Sequence, residues 1–182
     1  MARRRMGLIL GCVALALVAA KTGDEDPTGL PQAASGGGNP AAAPAATGGG
    51  PVADIPPRYL ALYRAHGNTC PHLDWALLAG IGKVETNHGR TDLPGVHSGA
   101  NYAGAAGPMQ FLPSTFADVR TSHPHIGPDQ YDPATAIQAA AHYLCDSGLA
   151  GGDEYGAIFT YNRADWYVAK VQAQAAEYRN AA

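Results

Sequence analysis

The sequence predicts an all-α, mostly helical domain over residues 54–182, carried behind a segment that does not fold on its own. Three observations predict it. Apolar residues recur at helical spacing in six stretches after Ile55. Strand signals, by contrast, are weak throughout. Residues 21–53 consist mostly of Gly, Ala, Pro, Ser and Thr, which cannot bury enough apolar surface to order themselves.

The elements follow in chain order. Arg3, Arg4 and Arg5 precede an apolar run from Met6 to Ala20, with small residues Val18 and Ala20 suited to cleavage near Lys21. Residues 1–20 therefore read as an export signal peptide or, left uncleaved, as an N-terminal anchor; the run is short for a membrane-spanning helix of about 20 residues. Residues 21–53, acidic at Asp24, Glu25 and Asp26, read as a disordered Gly/Ala/Pro linker. The first helix of the domain falls within 56–67, with Pro57 near its start, Leu60, Leu62 and Tyr63 on its apolar side and Gly67 at its end. The clearest helix lies within 73–89. Leu77, Leu78, Ile81 and Val84 form its stripe, Asp74 is placed to cap its start and Gly89 to end it. Residues 91–107 are glycine-rich and without period, so they read as a long loop holding at most a short ribbon. A short helix follows at 113–122, with Ser114 as expected N-cap. The next, within 131–148, has Asp132 as cap, Pro133 at the first helical position and a stripe of Ala136, Ile137, Ala140, Tyr143 and Leu144. Helices at 153–162 and 165–179 complete the set.

Charge and cysteines narrow the function. Taking the three leading arginines from twelve basic residues leaves nine against fifteen acidic ones, near −6 for the exported chain. Nucleic-acid binders carry basic patches, so nucleic acid is not expected as a partner. Electrostatic membrane docking is equally disfavoured, leaving a membrane role only to an uncleaved residue 6–20 segment. An uncharged, hydroxyl-rich polymer suits this surface better. With the signal set aside, Cys70 and Cys145 remain, and an isolated pair in an oxidising compartment usually bridges. A catalytic thiol is the competing assignment, and neither cysteine has a nucleophile's sequence setting.

One acid stands out. Glu85 lies seven residues after Leu78 and four after Ile81, on the apolar face of its helix. Desolvation disfavours the carboxylate anion and raises the pKa, and an acid held protonated near neutral pH can give a proton and take one back. Glycosidic cleavage needs that service, because the leaving oxygen is poor until protonated. The bland alternative is a solvated acid at the helix edge. Downstream, Gly104 and Gly107 allow close backbone approach, Met109 offers an adaptable apolar surface, and Gln110 offers amide donors and an acceptor suited to sugar hydroxyl and acetamido groups. Tyr161 and Asn162 fall at a helix end.

In combination and order these residues resemble the lytic transglycosylases of lysozyme-like (SLT-type) fold, which cleave peptidoglycan. The resemblance runs from about Leu73 to Tyr178. It rests on Glu85-Thr86-Asn87-His88-Gly89, on the turn Gly107-Pro108-Met109-Gln110, and on the aromatic–Asn pair Tyr161-Asn162. Pro108 stands where the family usually has Leu, and Asn101 where a Ser is common. The resemblance implies that Glu85 protonates the oxygen between N-acetylmuramic acid and N-acetylglucosamine, then accepts the proton of the muramic 6-hydroxyl as a 1,6-anhydro ring closes. It implies sugar-binding roles for Asn101, Met109, Gln110 and Asn162, and a Tyr161 that orients Glu85 or the substrate acetamido group. It implies no cofactor, glycan strands of peptidoglycan as partner, a cell-wall or extracellular location and a monomer.

Two alternatives stay open. A hydrolytic muramidase would need a base, for which Asp92 is the sole acid in the following loop. A non-catalytic wall-binding module would not need Glu85. Metal hydrolysis is disfavoured, since none of the seven histidines forms a helical ligand pair such as HExxH; His123-Pro124-His125 reads as a surface turn. Trp75 and Trp166 read as core anchors in preference to sugar platforms.

Overall fold

The computed structural model describes residues 50–182; the expected signal segment and the linker up to residue 49 lie outside them. Six α-helices form: α1 (Pro57–His66), α2 (Trp75–Thr86), α3 (Pro113–Ser122), α4 (Pro133–Asp146), α5 (Glu154–Tyr161) and α6 (Asp165–Asn180). Helical structure starts earlier than the expected boundary at residue 54, because Pro51–Asp54 already makes a 3-10 turn. Among the described residues there is no β-strand; a single isolated bridge pairs Ala106 with Phe111. None of the described helices is long and apolar enough to cross a membrane.

Local chemistry accounts for most helix ends. The Asp74 carboxylate accepts the Leu77 amide at 2.8 Å, and that of Asp132 accepts the Thr135 amide at 3.0 Å. The start of α3 differs from expectation: Leu112 is the N-cap and Ser114 lies inside the first turn. Pro113 decides this, since its fixed φ suits the first helical position and its missing amide needs no partner there. The end of α2 also comes earlier than Gly89. Asn87, His88 and Gly89 take left-handed φ of 51°, 59° and 70°. Asn is among the few residues that tolerate this region, so it stops the helix two residues before the glycine.

Helix α2 is the axis of the core. Ala76 through Gly82 are all buried. It packs along α6 and against α1 and α4, while α5 rests on α4 and α6. Gly80 makes the α2–α6 approach close: a Cβ there would stand 2.9 Å from the Val171 carbonyl oxygen. The Cys70–Cys145 disulfide, with a sequence separation of 75, ties the α1–α2 connection to the end of α4. Phe111 plugs the loop before α3 into this core. Its ring lies 5.9 Å from that of Tyr143 and 5.5 Å from that of Tyr161. Burying a ring this size is worth about 3 kcal/mol at most, enough to fix the preceding turn on the scaffold.

Candidate active site

Glu85 sits in the last turn of α2, where the helix leaves its final carbonyls unpaired and a carboxylate is least welcome. Protein surrounds most of the side chain, but one edge stays partly accessible. Burial pushes the carboxyl up from 4.5 to about 7, against the opposing effect of a hydrogen bond from the Tyr167 hydroxyl. That hydroxyl donates to Oε1 at 2.5 Å, the length of a charge-assisted bond. Tyr167 is itself buried in the first turns of α6, so the contact joins the two helices that share the most extensive packing. Near neutral pH the group therefore exists in both states, able to donate a proton and to take one back.

The residues just beyond Glu85 fix its position. The Thr86 hydroxyl donates to the Pro108 carbonyl at 2.7 Å and accepts the Gly89 amide at 2.8 Å. It thereby fastens the end of α2 to the 107–110 turn. His88 is buried between two tyrosines, with Nδ1 3.0 Å from the Tyr63 hydroxyl of α1 and Nε2 3.0 Å from the Tyr178 hydroxyl of α6. Burial, helped by Lys83 and Arg90, pushes His88 down to about 4, so it is neutral and structural at ordinary pH. On the outer side Asp54 pairs with Lys83 at 2.6 Å and Arg90 at 3.0 Å, which hold its carboxyl far below the usual range.

The turn that Thr86 grips is strained and cross-braced. Gly107 has φ 79°, and a Cβ there would collide with the Gln130 carbonyl. Gln110, buried, takes the left-handed φ of 49°, a conformation costly for any residue but glycine. Its side chain compensates by bonding locally: Nε2 donates to the Gly107 carbonyl at 2.8 Å and Oε1 accepts from Asn101 Nδ2 at 2.9 Å. Asn101 Oδ1 in turn accepts the amides of Ala103 and Ala105 at 2.8 and 2.9 Å. Asn101 and Gln110 thus meet, nine residues apart in sequence, and brace the loop between them.

The other expected site residues fall as follows. The Met109 side chain is fully buried, so it supports the turn from beneath instead of lining a surface. Its carbonyl accepts the Tyr161 hydroxyl at 2.8 Å. Tyr161, expected to orient Glu85 or the substrate acetamido group, gives its hydroxyl to the turn in this way. The residue bonded to Glu85 is Tyr167, which sequence reasoning missed although it begins the inward stripe Tyr167, Val168, Val171, Ala175 of α6. Asn162 is buried at the C-cap of α5. Cys70 and Cys145 form the expected disulfide. The Asp92 side chain is fully exposed, 3.7 Å from His97.

The histidine segment is also more than a surface turn. His123 and His125 pack around His142 of α4, with ring centroids 4.0 and 5.0 Å from it, and His123 Nε2 lies 2.7 Å from Asp146. Burial and the neighbouring imidazoles push His142 down. Among the described residues, however, no three His, Cys, Asp or Glu side chains are placed to hold a metal ion.

The family model described as Transglycosylase SLT domain matches residues 68–182. That span runs from just before Cys70 to the end of α6 and includes Glu85, the 107–110 turn and Tyr167. No curated protein and no solved structure matches the chain.

Proposed function

The chain belongs to the transglycosylase SLT domain family, enzymes that act on peptidoglycan as lytic transglycosylases, and from that premise we propose that Glu85 is its catalytic acid and base. The substrate bond is the β-1,4 link between N-acetylmuramic acid and N-acetylglucosamine. Glu85 in its protonated form gives its proton to the bridging oxygen, and that bond breaks. The substrate acetamido group stabilises the cationic centre left behind. Glu85, now anionic and stabilised by the Tyr167 hydroxyl, accepts the proton of the muramic 6-hydroxyl as its oxygen closes the 1,6-anhydro ring. One carboxyl serves both steps, so no second acid is needed at hydrolase spacing.

The single observation that supports this is the state of Glu85: a carboxyl raised to about 7 by burial, yet held by a hydroxyl suited to its anion. Asn101, Gln110 and Asn162 shape the sugar-binding wall, Gln110 and Asn101 by holding the loop that forms it. Asp92, the acid that a hydrolytic route would take as its base, projects fully into solvent, which favours the intramolecular route. Residues 1–20 export the chain to the wall, where it works as a monomer. Mass spectrometry of digested peptidoglycan tests the chemistry. Products ending in 1,6-anhydromuramic acid are expected; reducing muramic ends would assign a hydrolase instead.

A further inference from the structure

Trp166 does not anchor the core. It is 47% exposed at the first turn of α6, immediately before the tyrosine that bonds Glu85. Its ring lies 5.9 Å from that of Tyr167 and nearly perpendicular to it, at 81°. The indole therefore stands one aromatic ring away from the group that holds the catalytic carboxyl. A second exposed ring borders the same helix start. Tyr155 of α5 is 50% exposed, stacks on Phe159 at 12°, and donates its hydroxyl to Asp165, the residue before Trp166. Two exposed aromatic rings thus flank one helix start, and an exposed aromatic patch, unlike a single exposed side chain, marks a surface that a ligand covers. The C–H face of a pyranose is a flat apolar surface of matching size, and an indole carries an N–H donor at its edge for a polar sugar group.

We propose that Trp166 is a stacking platform for an N-acetylhexosamine ring of the glycan strand, next to the residue being cleaved, with Tyr155 continuing the aromatic surface along the strand. This rests on the assignment of Glu85 as the catalytic group, which locates the cleft beside Tyr167. Trp166 acts on binding alone and has no part in proton transfer.

The chain has two tryptophans, so Trp75→Phe leaves Trp166 as the sole indole reporter. In a Trp75→Phe, Glu85→Gln full-length chain, titration with N-acetylglucosamine hexamer should give a saturable blue shift and reduced acrylamide quenching. Emission and quenching that stay constant while calorimetry on the same chain records binding would overturn the platform. Should Trp75→Phe fail to fold, kinetics carry the test in the otherwise native chain. Trp166→Ala should raise KM for uncrosslinked glycan strands about tenfold with kcat nearly constant, and Trp166→Phe should restore most of the loss. A fall in kcat at unchanged KM, or a displaced pH profile, would mean that Trp166 acts through Tyr167 and would overturn the proposal. The fluorescence measurement needs no cleavage, whereas the assignment of Glu85 fails on wild-type product analysis, so the two failures are distinguishable.

Discussion

Replacing Tyr167 by Phe removes one hydroxyl and leaves the ring in its buried seat. In the native protein that hydroxyl pulls the Glu85 pKa down while burial holds it at about 7. A hydrogen bond to a charged group is worth about 1.5–3 kcal/mol, and each pKa unit about 1.4 kcal/mol. Losing the bond should therefore raise the Glu85 pKa by about one to two units, to roughly 8–9. Because the first step needs the protonated acid, kcat/KM for release of 1,6-anhydro products should fall above about pH 7 in the wild type. In Tyr167→Phe that falling limb should move upward by the same one to two units, with a lower plateau from weaker support of the anion. Initial rates on glycan strands across pH 5–10 measure both. Tyr161→Phe is the control: its hydroxyl serves the Met109 carbonyl, so the limb should stay near its wild-type position whatever happens to the rate. A Tyr167→Phe limb that stays put, or shifts downward, would refute the view that this hydroxyl sets the proton affinity of Glu85.

Three further outcomes are expected. Glu85→Gln should abolish cleavage and stabilise the fold in mild alkali. The folded pKa of Glu85 is raised, so its contribution is intact below about 4.5 and is lost as pH rises through about 7. Allowing for the accessible edge, thermal melts should show the variant more stable by about 1–3 kcal/mol at pH 8 and nearly equal to wild type at pH 4.5. His88 has the opposite dependence: its folded pKa is depressed, so its stabilisation is complete above 6.5 and lost as pH falls through about 4. Urea unfolding should lose up to about 3 kcal/mol over that range, and His88→Gln should flatten the acid limb. Breaking the Cys70–Cys145 bridge by Ser substitution at both positions should cost about 4.5 kcal/mol at most in denaturant titrations, since it frees a loop of 75 residues.

What could be foreseen in the sequence was what is decided within a few residues. Asp74 and Asp132 cap helices because their carboxylates reach amides three residues on, and the apolar stripe of α2 is a matter of spacing. The same periodicity put Glu85 on the buried face. Partners set by folding were not visible. Tyr167 meets Glu85 across 82 residues, and nothing local distinguishes it from the other inward residues of α6. His142 joins His125 across 17 residues, so a segment that read as a simple turn acquired a ring cluster. Met109 and Gln110 were picked out by chemical type, but burial is set by Phe111 pulling the turn into the core, which turns both inward. Trp166 was misjudged for a related reason: hydrophobic residues are usually inside, and only the register of α6 shows that this one is not.

The hydroxyl of Thr86 acts as a rivet. By gripping Pro108 on one side and Gly89 on the other, it makes the end of α2 and the 107–110 turn a single mechanical part. The distance from helix to turn is thereby fixed at its base, so the exposed side chains of residues 97–100, on the outer part of the intervening loop, can vary to suit different wall chemistries without loosening that joint.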